Sequence, residues 1–586
     1  IDVQKVYGIV QKYYKAQIEE AEKHVRAFFR GGKMPLPDPS EVEEVRQNLR
    51  QHKVYFLYYK LVVAQSTPEA FDLYYVAAED ALAAEDTPLE NMLTAEMQAV
   101  VHEHPDKFKG EIYDCPFEDV NAADAAIRWL KRDVTRKGYA EASQTAGEIA
   151  DVIRSYGDDL AVQELEVWQG LLQIYGGGKE VEEAKEPLQG VIDKLSSKHP
   201  SHRGKAILAT ALNHMGYLAR VEGRFLAAKS RYEEALVLWR QTGVQTQEAY
   251  TRNNLAFVLA ELGHLESSLQ IAADVFELRL TGGWIPMGLS WTTMAHILIR
   301  DGGLKDALEH ARWALQAFQA GDYPRGQGLA YIVAAEAERR RTEEIPETAE
   351  IEQALRQAIQ YAEMGIEIFK DKVTEPSRLI EAYIEAGCDY RDLVKYQRDF
   401  TPEKMGKSAA ISENCLKEAE GLAAQEGILY RQIEAMVNRA WLKYYIKQAG
   451  DALEILGDVD KLLGEYQLNE QGKITKLPAE ENCISPCLAL LGKSELLRGQ
   501  IAFLEFEKSK KQDDLVDPAR HYARALLYDQ YFSTQLFRDL RRAKGRMYER
   551  FKQLNPKELQ VVIDAVRGQP GGDLLVNLLK EYALYR

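Results

Sequence analysis

Apolar residues recur along this chain at intervals of three and four, the spacing that puts one greasy stripe on a helix. Residues 212–236, "LNHMGYLARVEGRFLAAKSRYEEAL", read as two amphipathic helices meeting at Gly223, with bulk missing at Gly216 and Ala228. The same omissions return in "RNNLAFVLAELGHLESSLQIAADVF" and in "WTTMAHILIRDGGLKDALEHARWAL". In register lie Gly216, Ala256 and Ala295 in the first helix, Gly223, Gly263 and Gly302 in the turn, and Phe225, Leu265 and Leu304 two residues later. Small or modest side chains follow at Ala228, Ser268 and Ala307, then at Ala235, Val275 and Ala314. Two antiparallel helices approach closely only where side chains are short, and a turn glycine accepts a backbone that a Cβ opposes. Volume is given up here so that hairpins stack.

Other copies flank this core. Upstream, Gly138, Tyr139 and Ala142 stand in turn-and-second-helix order, and another hairpin surrounds Gly176–Gly178. Downstream, hairpins are expected over "GLAYIVAAEAERRR…IEQALRQAIQYAEMGI", "SRLIEAYIEAGCDY" with "AAISENCLKEAEGLAAQ", "QIEAMVNRAWLKYYIKQAGDALEILGDVDKLL", and "CLALLGKSELLRGQIAFLEFEK" with "PARHYARALLYDQYF". No run of alternating β-branched residues with hairpin turns appears, so strands should be few. The reading is an all-α solenoid of eight or nine helix pairs over 124–475 and into 476–586, whose last helices are amphipathic caps. Residues 1–123 lack the pattern and read as a helical cap containing a Tyr-rich helix pair. Ser40 with Glu43, and Thr87 with Glu90, have capping-box spacing. "STPEAF", "FTPEKM", "DDLVDPARHY" and "LNPKELQ" each place Pro just inside a helix start.

The small residue, turn glycine and paired small positions resemble the tetratricopeptide repeat. Tyr232 occupies that family's aromatic slot, while Ala272 and Ala311 depart from it, as does Arg240 where a closing Pro is usual. Gly216, Ala256 and Ala295 recur at intervals of 40 and 39, longer than the ordinary unit of about 34 and nearer armadillo and HEAT periods. The resemblance implies a superhelix whose first helices line a concave face that binds ligand. Carried onto this chain, it points to Asn213, Tyr217 and Arg220, then Asn253, Phe257 and Glu261, then Thr292, His296 and Arg300, with Asn438 as a further candidate. An Asn amide donates to and accepts from a peptide backbone at once. Alternatively, Asn213 and Asn253 bridge neighbouring helices. A closed aromatic pocket around Tyr217, Phe257 and Trp291 would instead suit a small molecule. The lengthened repeats and irregular N-terminal helices also resemble the C-terminal sensor region of signal-transducing NTPases, including the maltose-regulon activator. That likeness implies a partnered nucleotide-binding module, and Ile1 in place of Met reads as a piece of a longer chain or a processed product.

Composition narrows the chemistry. The 586 residues carry a formal charge of −17, which argues against a general nucleic-acid binder. The basic run 538–552 is read as a solvated helix face or, alternatively, a dock for an acidic partner. No stretch approaches 18 uninterrupted apolar residues, so no membrane span is expected. Five cysteines suit a reducing, cytoplasmic setting. Cys483 and Cys487 in "CISPC" lack two further zinc ligands and read as a helix start, with Ser485 as cap and Pro486 at the first position. The two "GKS" strings, at 406–408 and 492–494, lack the first Gly of a phosphate loop, Thr401 and Cys487 standing in its place. His102 and His104 miss the spacing of a helical zinc motif and read as surface loop, while His214 and His296 fall within first helices, packed or facing the groove. No catalytic residue, cofactor or metal is assigned, and an enzyme is not expected. The expected partner is a protein or peptide in the groove; a free-standing assembly scaffold is the alternative.

Overall fold

The computed structural model describes residues 3–29, 38–109, 111–112, 115–136, 139–177, 179–197, 201–346, 348–396, 402–463, 484–532, 537–582 and 584. Four helices come first: α1 (Val3–Phe29), α2 (Pro39–Val63), α3 (Thr67–Ala83) and α4 (Thr87–Glu103). A two-residue ribbon follows, β1 (Glu111–Ile112) antiparallel to β2 (Cys115–Pro116). Hairpins then succeed one another: α5 (Phe117–Arg136) with α6 (Tyr139–Tyr156), α7 (Asp159–Gly176) with α8 (Lys179–Ser196), and α9 (His202–Val221) with α10 (Phe225–Thr242). Next come α11 (Gln245–Glu261) with α12 (Leu265–Arg279), α13 (Trp284–Asp301) with α14 (Leu304–Ala320), and α15 (Pro324–Arg341) with α16 (Thr348–Glu367). The series continues with α17 (Pro376–Tyr396) and α18 (Pro402–Gln425), α19 (Leu429–Tyr445) and α20 (Ala449–Leu463), and α21 (Ile484–Ser509) and α22 (Val516–Phe532). Three helices close the chain: α23 (Phe537–Phe551), α24 (Pro556–Val566) and α25 (Gly572–Glu581). From α5 to α23 each helix packs on its successor, and from α5 to α21 the odd-numbered helices also pack side by side. This is an all-α, tetratricopeptide-like superhelix.

The repeat alignment lands on the hairpin geometry. α10, α12 and α14 begin at Phe225, Leu265 and Leu304, and the turn glycines Gly223, Gly263 and Gly302 have φ of 79°, 78° and 103°. That left-handed backbone strains any residue with a Cβ. The seams exchange volume between partners. A Cβ on Gly216 would lie 2.7 Å from the Tyr232 ring, so a bulky second-helix aromatic faces a first-helix residue with no side chain. Ala256 shares a core cluster with Ala272, and Ala295 shares one with Ala311. The aromatic missing from those two copies is therefore matched by the methyl that replaces glycine. Gly170 against Leu188, Gly387 against Leu416 and Gly499 against Tyr522 repeat the exchange in other hairpins.

The superhelix closes on itself after five hairpins. α7 touches α17, and α13 touches α23. One hydrophobic cluster joins Ile127 and Ile153 of α5 and α6 to Tyr331 and Phe369 of the α15–α16 unit. At the α9–α10 turn, a Cβ on Gly223 would meet the Tyr430 ring at 2.7 Å, and Phe225 packs edge-on against the same ring. The α7–α8 turn seats Gly177 against Glu426 and Pro376. The N-terminal helices join the same winding: Gly283 N–H donates to the Ala84 carbonyl at 2.8 Å, and Phe29 packs edge-on against Trp284.

Local starts differ from expectation at three places. Asp38, not Ser40, caps α2, and Asp86, not Thr87, caps α4, each accepting a backbone N–H from the first turn. A carboxylate accepts these donors more strongly than a hydroxyl, and Ser40 and Thr87 already lie inside their helices, past the cap position. α21 begins at Ile484, which puts Ser485 within its first turn; Cys487 is buried in the core, and Cys483 lies outside the described residues, as do Gly138, Gly178 and Thr401. Both "GKS" strings lie within helices, α18 and α21, and His102 sits in the last turn of α4. Among the described residues no helix is long and apolar enough to cross a membrane.

Gly216→Ala should destabilise the chain by about 1–3 kcal/mol through overpacking against Tyr232. Gly421→Ala, where an added Cβ meets nothing within 4 Å, should instead stabilise it by about 0.5–1 kcal/mol through lower backbone entropy. Chemical denaturation followed by circular dichroism reads both, and effects of the same sign at the two positions would contradict the seam.

Candidate functional site

Because the odd-numbered helices face inward and the winding closes, their inner residues wall one cavity of about 520 Å³. The ten residues Asn213, Tyr217, Arg220, Asn253, Phe257, Glu261, Thr292, His296, Arg300 and Asn438 all line it. Trp291 does not belong to this wall; it packs against Phe276 and Trp313 in the core, so the aromatic pocket imagined around Tyr217, Phe257 and Trp291 does not form. Trp291 is one residue off the inward-facing phase set by Thr292 and His296.

Polar wall residues are tied to neighbouring inner helices. Asn253 Nδ2 donates to Thr293 Oγ1 at 2.8 Å, and Asn254 Nδ2 donates to Asn213 Oδ1 at 3.3 Å. Asn213 and Asn253 thus bridge helices and face the cavity at once. Thr292 spends its hydroxyl hydrogen on the Gly288 carbonyl of its own helix. Asn438 donates to the Glu434 carbonyl and accepts from Arg391.

An ionic ladder crosses the same wall. Glu261 Oε1 meets His296 Nε2 at 2.7 Å and Arg300 at 2.9 Å, and Arg300 reaches on to Glu336 at 2.9 Å. Burial pushes the Glu261 carboxyl up, but Arg300 and His296 overcome it and hold it well below the ordinary range. Burial likewise works against ionised Glu381, while Arg378 and Arg431 hold its pKa down to about 2. Tyr217 donates to the fully buried Glu375 at 2.9 Å, and Arg325 clamps the same carboxylate through two N–H groups.

Phe257 is clasped from both sides. The Arg220 guanidinium carbon lies 3.4 Å from the ring centroid, and the His296 ring stacks at 4.1 Å and 19°. Two groups so close to one ring cannot share a face. Elsewhere on the wall, Tyr139 stacks on Tyr175 at 4.1 Å, and Tyr175 meets Tyr217 edge-on. His214 hangs between the Val167 carbonyl and the edge of Trp168.

The cavity also contains residues the sequence reading did not single out, notably Arg325, Arg339, Arg378, Glu381 and Arg431 from α15, α17 and α19. One signal was available: another period of 40 from Thr292, His296 and Arg300 reaches Ile332, Glu336 and Arg340, all in the wall. Where it is described, the basic run 538–552 leaves Lys552 exposed and turns two arginines inward. Arg546 lies over Trp441 at 4.3 Å, and Arg550 reaches Glu507 at 2.6 Å and the Tyr444 hydroxyl at 3.0 Å. Among the described residues no group of three or more His, Cys, Asp or Glu is arranged to hold a metal ion.

No protein-family model and no curated protein matches the sequence. Among solved structures, the chain is similar to a Rap protein complexed with competence and sporulation factor, at 13% identity and TM-score 0.49, over 70% of this chain and 99% of that one. It is similar to the human IFIT1 dimer with m7Gppp-AAAA at 14% identity and TM-score 0.40, over 82% and 94%. A third likeness is to Scc4 in complex with Scc2n and Ctf19n, at 10% identity and TM-score 0.37, over 97% and 98%.

Burial pushes the His214 pKa down to about 4, so the fold holds the neutral ring. The unfolded chain, with an ordinary value near 6.5, binds this proton first as pH falls. The associated stability is present above pH 6.5 and is lost as pH drops towards 4. His214→Gln should remove that component, and denaturation midpoints of variant and parent should converge between pH 6.5 and 4. Parallel midpoint curves would contradict it.

Proposed function

We propose that the chain is a recognition module that holds a peptide or an extended protein segment in its closed superhelical cavity and performs no chemistry of its own. The supporting observation is that inner-helix residues from successive hairpins converge on one lumen instead of spreading over an open face. A cavity of about 520 Å³ is of the size that buries most of a short ligand. Its wall mixes aromatic faces with fixed amide, hydroxyl and charged groups, the combination that orients an otherwise variable guest. The bridging of Asn213 and Asn253 to adjacent helices supports the reading too, because wall groups held by neighbours lose little freedom on binding.

A wider role follows from the resemblance to sensor regions of signal-transducing NTPases. Filling the lumen would fix the pitch of a superhelix whose turns touch, and an attached nucleotide-binding module would feel that change. The scaffold alternative uses the same lumen without such a module.

Thr292 lines the lumen at mid-height, with its hydroxyl already satisfied by its own helix. Thr292→Trp should therefore block the lumen while preserving helicity. Peptides selected from a random hexapeptide display library on the parent protein should bind the variant at least about tenfold more weakly, the loss of about 1.4 kcal/mol or more. Unchanged affinity in a folded Thr292→Trp variant would place the guest elsewhere.

A further inference from the structure

The wall of the lumen is cationic although the chain is acidic. Among the described residues that line it, twelve are Lys or Arg and seven are Asp or Glu, against a whole-chain charge of −17. Most of these cations have a protein carboxylate: Arg300 has Glu261 and Glu336, Arg325 has Glu375, Arg339 has Glu385, and Arg431 has Glu381 and Glu434. Arg220 differs. Its side chain makes no ion pair and no hydrogen bond among the described residues, and it is half-buried at the wall over Phe257 of α11.

Its guanidinium lies 3.4 Å over the Phe257 ring, which shields one face of the plane and leaves the N–H edge as its only polar outlet. The nearest like charge, Arg378, is already engaged by Glu381 at 2.7 Å. Burial and the repulsion from Arg378 together push the Arg220 pKa below its ordinary value. Arg220 is half-buried and lines the lumen, so its donors are open to a guest, and the five of them match an oxyanion in a two-point fork. Glu381 attracts it from a distance but makes no ion pair with it, being held by Arg378 and Arg431.

We infer that Arg220 is an oxyanion subsite, and that the guest of the lumen carries a carboxylate or phosphate that docks on this guanidinium against the Phe257–His296 stack. The inference rests on the reading that the lumen holds a peptide. It commits that reading to acidic guests and assigns recognition of their charge to one side chain. Two other lining cations, Lys395 and Arg546, also lack a carboxylate partner among the described residues; their contacts are the Tyr396 and Tyr445 hydroxyls. They extend the same preference along the wall.

The test uses the full chain and two display libraries of random hexapeptides, one with a central Glu and one with a central phosphoserine. Gln-centred and Ser-centred libraries serve as neutral counterparts. Affinities of enriched members and of their neutral analogues are measured by fluorescence anisotropy. The anionic peptides should bind about 10–100-fold more tightly than their neutral analogues, as expected for charge-assisted hydrogen bonds. Arg220→Met should abolish that preference, so that each anionic peptide and its neutral analogue bind the variant equally, and Arg220→Lys should restore part of it as a point charge. The library that shows the preference identifies carboxylate or phosphate as the source. Peptides that bind with no preference for charge, or a preference that survives in Arg220→Met, would overturn the subsite and leave the lumen reading standing. Parent protein that retains no hexapeptide from any library would overturn both. The comparison of anionic and neutral peptides on the parent needs no variant to fold, so the proposal stays exposed to it.

Discussion

Contact between turns of the superhelix is the constraint on which the rest depends. Hairpins five apart in the chain touch, at α7 with α17, α13 with α23, and the α9–α10 turn with Tyr430. Gly177 and Gly223, both at φ 79°, allow two of these approaches, since each would drive a Cβ into the facing turn. An ordinary solenoid leaves its inner helices facing an open groove, because each repeat contacts only its neighbours. Here contact between turns narrows the groove into a lumen, limits the access of bulk water to its wall and strengthens charge interactions across it.

Closure also explains the wall's electrostatics. Ions held away from water require partners, and the inner helices supply them in ladders such as Glu261–His296–Arg300–Glu336. These ladders lie between successive helices, so they fix the rotation of one hairpin on the next as well as neutralising charge. Arg220 stands outside them. A residue that breaks such a local rule marks function more often than error.

The hairpin seams were legible in the chain because they are local. Gly216, Ala256 and Ala295, the turn glycines and the aromatic at Tyr232 fall at fixed offsets, and the inward phase of the first helices follows from them. That phase carried Asn213, Tyr217, Arg220 and their equivalents to the cavity wall. Contacts between hairpins five apart leave no comparable mark: Phe225 and Tyr430 are ordinary apolar choices in their own helices, and only the accumulated rotation of five units brings them together. Trp291 failed as a wall residue for a simpler reason, a helical phase shifted by one position. The buried carboxylate Glu375, held by Tyr217 and Arg325, was hidden because it lies in the stretched connection before α17, where register could not be counted.

The most direct test of closure is a double-mutant cycle between Phe225 and Tyr430, whose rings meet at 6.4 Å across the turn boundary. Unfolding free energies of Phe225→Ala, Tyr430→Ala and the double variant should show a coupling of about 0.5–1.5 kcal/mol, as for a packed aromatic pair. Strict additivity within about 0.3 kcal/mol would mean that the two turns do not touch in solution, and the lumen would then be an open groove.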